Sequence, residues 1–121
     1  MLSKEEIESQ LPSFTGTGQW YRVSPRLVIT DGIRFVLDNT GGYWLSAVVN
    51  SIQTLLSRTG KDISFQNYTL KRVPDTKTFN LIVDDGNNNI LYEKVLVSNS
   101  FPLDSFKFYY MNNIMLLPSE Y

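Results

Sequence analysis

Residues 41–60 read GGYWLSAVVNSIQTLLSRTG, and this stretch decides the fold class. Its apolar residues recur at helical spacing, which places them on one face of an α-helix: Leu45, Val48, Val49, Ile52, Leu55 and Leu56. Polar residues from Ser46 to Arg58 take the other face. Glycines flank the segment on both sides, and glycine readily lets a chain leave a helix. The stretch therefore predicts a long amphipathic helix that lies on a sheet made by the rest of the chain.

The residues after this helix alternate between apolar and polar side chains, which is the period of a half-buried β-strand. This pattern predicts strands over residues 65–73, 79–83, 90–97, 106–110 and 114–117. The polar run at residues 84–89, DDGNNN, predicts a hairpin turn, because Asp, Asn and Gly tolerate positive φ. We therefore expect consecutive strands to pair as an antiparallel meander.

The residues before the long helix predict shorter elements. Ser3 and Glu6 fit a capping box for a helix over residues 4–10, which Pro12 ends. Apolar runs at residues 19–23 and 27–29 predict strands, and Thr30 or Asp31 is placed to cap a second helix. We expect residues 1–121 to form a single α+β domain. Its antiparallel meander sheet of about four to six strands would pack against one long amphipathic helix, with short helices besides.

The composition restricts the chemistry open to this chain. It contains no His and no Cys, so the usual ligands of zinc, haem and iron–sulfur sites are missing, as are His and Cys for nucleophilic catalysis. We therefore expect no cofactor and favour a non-catalytic protein over an enzyme. The formal net charge of −1 gives no field that would attract nucleic acid or an acidic membrane. No apolar run approaches the roughly 18 residues of a membrane span, and residues 1–11 lack a signal-peptide core, so we expect a cytoplasmic protein.

Three local features favour structural roles over chemical ones. The 84–89 turn is rich in oxygen ligands, but Val95 takes the place of the Glu that an EF-hand requires, so a polar turn is favoured. Lys71, Arg72 and Lys77 do not form one patch, because adjacent strand residues point to opposite faces, and we interpret them as solvated strand edges. The scattered carboxylates leave a paired-carboxylate hydrolase open, but nothing in their spacing favours it.

Aromatic residues beside glycine-flanked polar turns form the candidate ligand-binding site. Such residues can stack on a base or anchor a partner protein. A segment that reads Thr30-Asp31-Gly32 precedes a helix but lacks the glycine patterns of nucleotide-binding loops, so a helix cap and an anion site both stay open. The aromatics would stack, Arg22 would meet an anion and Asp31 would bind a polar edge. The expected site residues are Trp20, Tyr21, Arg22, Thr30, Asp31, Tyr43, Glu120 and Tyr121.

Short motifs in chain order resemble those of one known family. They are Phe14-Thr15-Gly16-Thr17, Trp20-Tyr21-Arg22, Thr30-Asp31-Gly32 with Phe35, Gly41-Gly42-Tyr43-Trp44-Leu45, Asp85-Gly86-Asn87, Phe101-Pro102-Leu103 and Leu116-Leu117-Pro118-Ser119-Glu120-Tyr121. On these motifs the chain resembles the small bacterial and phage proteins of domain of unknown function family 6876. It departs from the family pattern at Val23, where His is frequent, and at Gly42, where Ala is usual.

The resemblance implies a fold unit without an established reaction, found in proteins that look like cargo of phages and mobile elements. A role against host defence is therefore expected. We hypothesise a non-catalytic binding protein that sequesters a small polar, nucleotide-like signal. We also expect a homo-oligomer, because the second face of an aromatic-rich meander needs cover. Two alternatives stay open: an inhibitor that binds a host protein directly, and a small metal-dependent phosphodiesterase.

Overall fold

A computed structural model describes residues 2–98 and 100–121. The described chain contains the helices α1 (Lys4–Gln10), α2 (Asp31–Thr40) and α3 (Trp44–Leu56), together with short 3₁₀ turns at Leu11–Ser13 and Pro118–Glu120. Its strands are β1 (Trp20–Ser24), β2 (Leu27–Thr30), β3 (Phe65–Arg72), β4 (Thr78–Asp84), β5 (Ile90–Val97), β6 (Ser105–Met111) and β7 (Ile114–Leu116). All seven form one sheet in the order β1-β2-β7-β6-β3-β4-β5.

The sheet is mixed, and its strand order is not that of a meander. β3, β4 and β5 pair with one another in sequence, but β6 returns to the free side of β3, which gives the β6-β3-β4-β5 order of a Greek key. β7 pairs antiparallel with β6 and parallel with β2. The α+β class is confirmed, whereas the predicted antiparallel meander of four to six strands is wrong. The period of a strand indicates which side chains face the core, but it does not identify the neighbouring strand.

The helices cover one face of the sheet, and the core lies between them. Alternate strand residues are buried there, such as Tyr68 and Leu70 on β3 and Leu81 and Val83 on β4. The ring of Phe108 on β6 stacks on that of Tyr68, with 4.7 Å between ring centroids. Burying one large apolar side chain contributes roughly 1.5–3 kcal/mol relative to leaving it exposed. Residues of α1, α2 and α3 all contribute to this core, so three helices cover the sheet where the sequence predicted packing against one long helix, with short helices besides.

Helix α3 shows the predicted period, but its buried face is narrower than expected. The buried apolar residues are Leu45, Val49, Ile52 and Leu56. Leu55, which the sequence placed on the apolar face, is 45% exposed, whereas Ser46, which it placed on the polar face, is buried. Ser46 can be buried because its hydroxyl donates a hydrogen bond to the carbonyl of Tyr43, with 2.6 Å between the oxygens.

The helix starts follow the predicted capping chemistry. The Ser3 hydroxyl accepts a hydrogen bond from the Glu6 N–H at 3.2 Å, and the Glu6 carboxylate accepts one from the Ser3 N–H at 3.1 Å, which confirms the capping box of α1. Thr30 caps α2 by accepting a hydrogen bond from the Ile33 N–H at 3.3 Å. Gly41 ends α2 in the left-handed conformation with φ of 66°, where a side chain would be strained.

A polar network connects α3 to β3 inside the core. The Gln53 side-chain amide donates to Oε1 of Gln66 at 2.7 Å, and the Gln66 amide donates in return to Oε1 of Gln53 at 2.8 Å. The Tyr68 hydroxyl donates to Oε1 of Gln66 at 2.7 Å, and burial raises the pKa of Tyr68. Gln66 is completely buried, so these bonds replace the water that its amide would otherwise need.

Arg72 forms hydrogen bonds with the segment before β6, the strand that pairs with β3. Its Nη2 donates to the carbonyl oxygens of Phe101 at 2.6 Å and Leu103 at 3.2 Å, and its Nε donates to Oδ1 of Asp104 at 2.9 Å. The side chain is only 17% exposed, and its guanidinium carbon lies 4.4 Å from the centre of the Phe79 ring. This single side chain therefore links the end of β3 to Phe101, Leu103 and Asp104 in the segment before β6.

The interpretation of the basic residues as solvated strand edges is wrong for Arg72. β3 lies inside the sheet, between β6 and β4, and the guanidinium of Arg72 is used in the connection described above. Lys71, the adjacent residue, points to the other face and is exposed, as alternation requires. Asp104 also binds Lys4 of α1, and the hydrogen bonds from Lys4 and then Arg72 lower the pKa of its carboxyl.

In the polar turn between β4 and β5, the carboxylate of Asp85 accepts hydrogen bonds from other residues of the same turn. Oδ1 of Asp85 accepts hydrogen bonds from the N–H groups of Asn87 at 2.8 Å and Asn89 at 3.2 Å. The side-chain amide of Asn89 donates to Oδ2 of the same carboxylate at 2.8 Å. The hydrogen bonds from Asn89 and Asn87 lower the pKa of Asp85. The predicted polar hairpin turn is therefore confirmed at this position.

Candidate functional site

Two predicted site residues, Tyr21 and Asp31, meet where β2 passes into α2. The Tyr21 hydroxyl donates to Oδ1 of Asp31 at 2.8 Å, and the Gly18 N–H donates to Oδ2 at 2.8 Å. The Asp31 N–H in turn donates to the Thr17 hydroxyl at 3.0 Å. The bond from Gly18, followed by that from Tyr21, lowers the pKa of the Asp31 carboxyl, which is therefore ionised at neutral pH.

Arg34 lies one helical turn after Asp31 and extends this cluster along α2. Its guanidinium carbon is 4.2 Å from the centre of the Tyr21 ring, and its Nε is 3.4 Å from Oδ2 of Asp38. The other carboxylate oxygen of Asp38 accepts a hydrogen bond from the Tyr43 hydroxyl at 2.6 Å. We name the row formed by Tyr21, Asp31, Arg34, Asp38 and Tyr43 the α2 strip.

The α2 strip combines aromatic rings with charged groups that remain open to solvent. The Arg34 side chain is 48% exposed and Tyr43 is 41% exposed. Partial burial of the hydroxyl, followed by its hydrogen bond to Asp38, raises the pKa of Tyr43 to about 12, so this hydroxyl is a neutral donor at physiological pH. The strip therefore presents an aromatic ring, guanidinium donors and carboxylate acceptors, the groups that bind a planar polar molecule.

Thr30 and Glu120, both predicted site residues, meet in a cap at the first turn of α2. Oε1 of Glu120 accepts hydrogen bonds from the Thr30 hydroxyl at 2.6 Å and the Leu117 N–H at 2.9 Å, while Oε2 accepts one from the Gly32 N–H at 3.0 Å. A carboxylate at this end of a helix suits the helix dipole. Of the two roles that the sequence left open here, the helix cap is the one that the structure shows, because the chain supplies the anion itself.

Gly32 allows this cap to approach α2 closely. A Cβ at this position would lie 2.5 Å from Cδ1 of Leu117 and 2.7 Å from Oε1 of Glu120. Both distances are shorter than van der Waals contact, so a side chain at this position would displace the cap.

The other three predicted site residues lie apart from the α2 strip. Trp20 and Arg22 flank Tyr21 on β1, so alternation directs them to the opposite face of the sheet. Trp20 is 57% exposed, and Arg22 donates to the carbonyl oxygen of Pro25 in the β1–β2 turn at 3.0 Å. Tyr121 packs on that same outer face, against the rings of Phe65 and Tyr109.

Sequence reasoning missed Arg34 and Asp38, which complete the α2 strip. The signal that could have identified them is the spacing of Asp31, Arg34 and Asp38, which are three and four residues apart and therefore share one helix face. Arg34 and Asp38 are about half exposed, whereas the neighbouring residues Ile33 and Leu37 are buried. Arg34, rather than the predicted Arg22, is the cation that contacts the predicted residue Tyr21.

Open clefts of the described residues lie outside the strip. One of about 270 Å³, near the end of α3, is lined by polar residues such as Arg26, Gln53 and Asn113. Another of about 220 Å³ is lined in part by Asp62 and Asp85. Over residues 2–98 and 100–121, no three acidic side chains converge as a metal site. In the same part of the chain, no helix has both the length and the apolar character needed to cross a bilayer.

The comparisons with known proteins give one match. No curated protein and no solved structure is significantly similar to this chain. The model of DUF6876, described as a family of unknown function, matches residues 5–121. The match covers nearly the whole chain and spans all the motifs on which the resemblance rests, from Phe14 to Tyr121. The chain therefore belongs to the DUF6876 family.

Proposed function

We propose that this chain is a non-catalytic binding protein whose α2 strip holds a small polar, nucleotide-like ligand, and that it acts against host defence by sequestering that ligand as a signal. The observation that carries the proposal is the position of Arg34. Its guanidinium lies on the Tyr21 ring and beside Asp38, and these contacts restrict its direction before any ligand binds. A preorganised guanidinium loses less conformational freedom on binding than a free one.

The groups of the strip match the parts of a nucleotide. The exposed ring of Tyr43 offers a surface on which a base can stack, a contact that contributes about 1–3 kcal/mol in nucleic-acid complexes. The exposed edge of Arg34 offers donors to a phosphate or a carbonyl group. The carboxylate oxygens of Asp31 and Asp38 already have partners in the chain, and their remaining lone pairs would accept hydrogen bonds from the N–H groups of a base edge.

The charge of the strip favours a ligand with hydrogen-bond donors over one that carries only negative charge. Two carboxylates, of Asp31 and Asp38, flank one guanidinium, of Arg34. A bare phosphate would meet the repulsion of both carboxylates, whereas a base with N–H donors would form hydrogen bonds with them. We therefore expect guanosine monophosphate to bind more tightly than inorganic phosphate.

Calorimetric titration with guanosine monophosphate, adenosine monophosphate and inorganic phosphate tests this proposal. Arg34→Met keeps the length of the side chain but removes its donors, and we expect it to abolish nucleotide binding. Arg22→Met is the matched control, because Arg22 lies on the opposite face and its loss should leave binding unchanged. Equal binding by both variants, or no binding by the natural chain, would contradict the proposal.

A second candidate, direct binding of a host protein, is favoured by the exposure of Trp20. This side chain is 57% exposed on β1, and Val23 on the same strand is 37% exposed. Exposed tryptophans are frequent anchors of protein interfaces. A pull-down with the natural chain, Trp20→Ser and Tyr43→Ser separates the candidates: a protein partner lost only with Trp20→Ser would indicate docking through β1.

The remaining alternative, a metal-dependent phosphodiesterase, is distinguished by stoichiometry. A binder removes at most one ligand for each site, whereas an enzyme converts many. Incubating a nucleotide with far less protein, with and without Mg²⁺ or Mn²⁺, measures this directly. Metal-dependent conversion of most of the nucleotide would indicate the phosphodiesterase and contradict the binding protein.

A further inference from the structure

β5 forms one edge of the sheet, and in the described chain only β4 pairs with it. The strand is eight residues long and contains no Gly or Pro. Its exposed apolar side chains are Ile90 at 51%, Val95 at 63% and Val97 at 72%. A long, regular edge strand that exposes apolar side chains is a template for pairing with another strand.

The other edge strand, β1, is less suited to pairing. It is five residues long, and its register with β2 shifts between Arg22 and Ser24. Such irregularities disturb the row of backbone groups that a further strand would need. The register shift between β4 and β5, in contrast, lies near the start of β5, beside Asp84, and leaves residues 92–97 regular.

One hydrogen bond at the end of β5 shows which of its backbone N–H and C=O groups point away from β4. The Ser98 N–H donates to the carbonyl oxygen of Lys77, beside β4, at 2.9 Å. Because N–H groups alternate in direction along an antiparallel strand, those of Glu93, Val95 and Val97 point away from β4. These three residues carry the donors and acceptors that a new strand would meet.

We propose that two copies of this chain pair antiparallel through β5, about a two-fold axis that passes at Val95. In this register Val95 faces Val95 of the second copy, and Glu93 faces its Val97. Each outward-pointing residue then faces another outward-pointing residue, so all three form hydrogen bonds across the axis. The two sheets join into one, with all helices on the same side.

Neighbouring registers are less favourable, because they place like charges opposite each other or lose hydrogen bonds between the two strands. An axis at Glu93 would oppose two carboxylates directly, and an axis at Lys94 would oppose two ammonium groups. An axis at Leu96 would pair Val95 with Val97 but would carry Glu93 beyond the end of the partner strand. In the Val95 register the charged residues face apolar ones, since Lys94 faces Leu96.

A single engineered cysteine tests this register, because the natural chain contains none. Facing residues of a hydrogen-bonded antiparallel pair have Cα atoms about 5.5 Å apart, within the range of roughly 4.4–6.8 Å that a disulfide spans. We expect Val95→Cys to form a disulfide-linked dimer on mild oxidation, seen on a non-reducing gel. Val97→Cys is the control, because Val97 faces Glu93 and should stay monomeric on the gel. Equal cross-linking of both variants, or of neither, would overturn the proposed register.

The mass of the unmodified protein tests the dimer independently of the register. We expect light scattering to give twice the chain mass of 13.9 kDa for the natural protein. Val95→Lys places two ammonium groups at the axis and should give the single-chain mass. Val23→Lys, on the other edge strand, is the matched control and should remain dimeric. A monomeric natural protein, or a Val95→Lys variant that remains dimeric, would overturn the proposal. Neither measurement depends on the ligand proposed for the α2 strip.

Discussion

Replacing Arg72 by alanine should destabilise the fold more than its position beside an exposed lysine suggests. The substitution removes the donors for the partly buried carbonyl oxygens of Phe101 and Leu103. It also removes the guanidinium from the Phe79 ring and from Asp104. The segment before β6 would then have to form without these contacts to the end of β3.

The expected magnitude follows from these contacts. Hydrogen bonds to a charged group contribute about 1.5–3 kcal/mol each, but bonds from one guanidinium are not additive. The pair with Asp104 adds less than about 1 kcal/mol, because that carboxylate is 58% exposed. The contact with the Phe79 ring adds roughly 0.5–1 kcal/mol. We therefore expect Arg72→Ala to lower the free energy of unfolding by about 2–4 kcal/mol.

Equilibrium unfolding in urea, followed by circular dichroism, measures this loss. With a slope of about 1–3 kcal/mol/M, the midpoint should fall by on the order of 1–2 M. Lys71→Ala is the matched control and should change the free energy by less than about 0.5 kcal/mol, because Lys71 is exposed. Arg72→Lys should lie between the two, since lysine keeps the charge but not the fork of donors. If Arg72→Ala unfolds at the same urea concentration as Lys71→Ala, the contacts of Arg72 do not stabilise the segment before β6.

Three further predictions concern the core network, the cap of α2 and Tyr43. Gln53→Ala leaves the buried amide of Gln66 without its reciprocal partner, so the urea titration should show a loss of about 1–3 kcal/mol, and an unchanged midpoint would contradict the network. Gly32→Ala forces a Cβ into the Glu120 cap and should lower the melting temperature. Gly16→Ala should not lower it, because Gly16 has open space around it. Equal melting temperatures for the two variants would exclude the close approach of the cap to Gly32. Because the pKa of Tyr43 is raised from 10.0 to about 12, its contribution to stability is complete below pH 10 and declines as the pH rises towards 12. Tyr43→Phe should therefore lose less stability across that interval, and parallel curves for both proteins would refute the shift.

Elements determined by nearby residues were predictable from the sequence. The capping box fixed α1 at its observed bounds, Lys4–Gln10, because both partners lie within four residues of each other. The strand over residues 90–97 was likewise predicted with its observed bounds, because the polar turn marks its start. The strand order was not predictable, because it rests on contacts between residues far apart in the chain, such as the hydrogen bonds from Arg72 to carbonyl groups about thirty residues later.

The candidate site was predictable only in part for a similar reason. Alternation along β1 places Trp20 and Tyr21 on opposite faces, so the sequence already indicated that these neighbours could not share one small site. The contact between Tyr21 and Asp31 depends on the register of the β1–β2 hairpin. Glu120 reaches α2 from a distant part of the sequence, and no local pattern distinguishes such a cap from an exposed carboxylate.

The place of β7 between β2 and β6 has a consequence for biosynthesis. In the described part of the chain, the β1–β2 hairpin joins the rest of the sheet only through β7, which is translated long after β2. At usual translation rates, the inner edge of β2 would wait on the order of ten seconds for its partner. During that time the nascent chain exposes the apolar strand Leu27–Thr30, a surface of the kind that chaperones bind and that aggregation uses. This sheet is therefore completed only when β7 has left the ribosome.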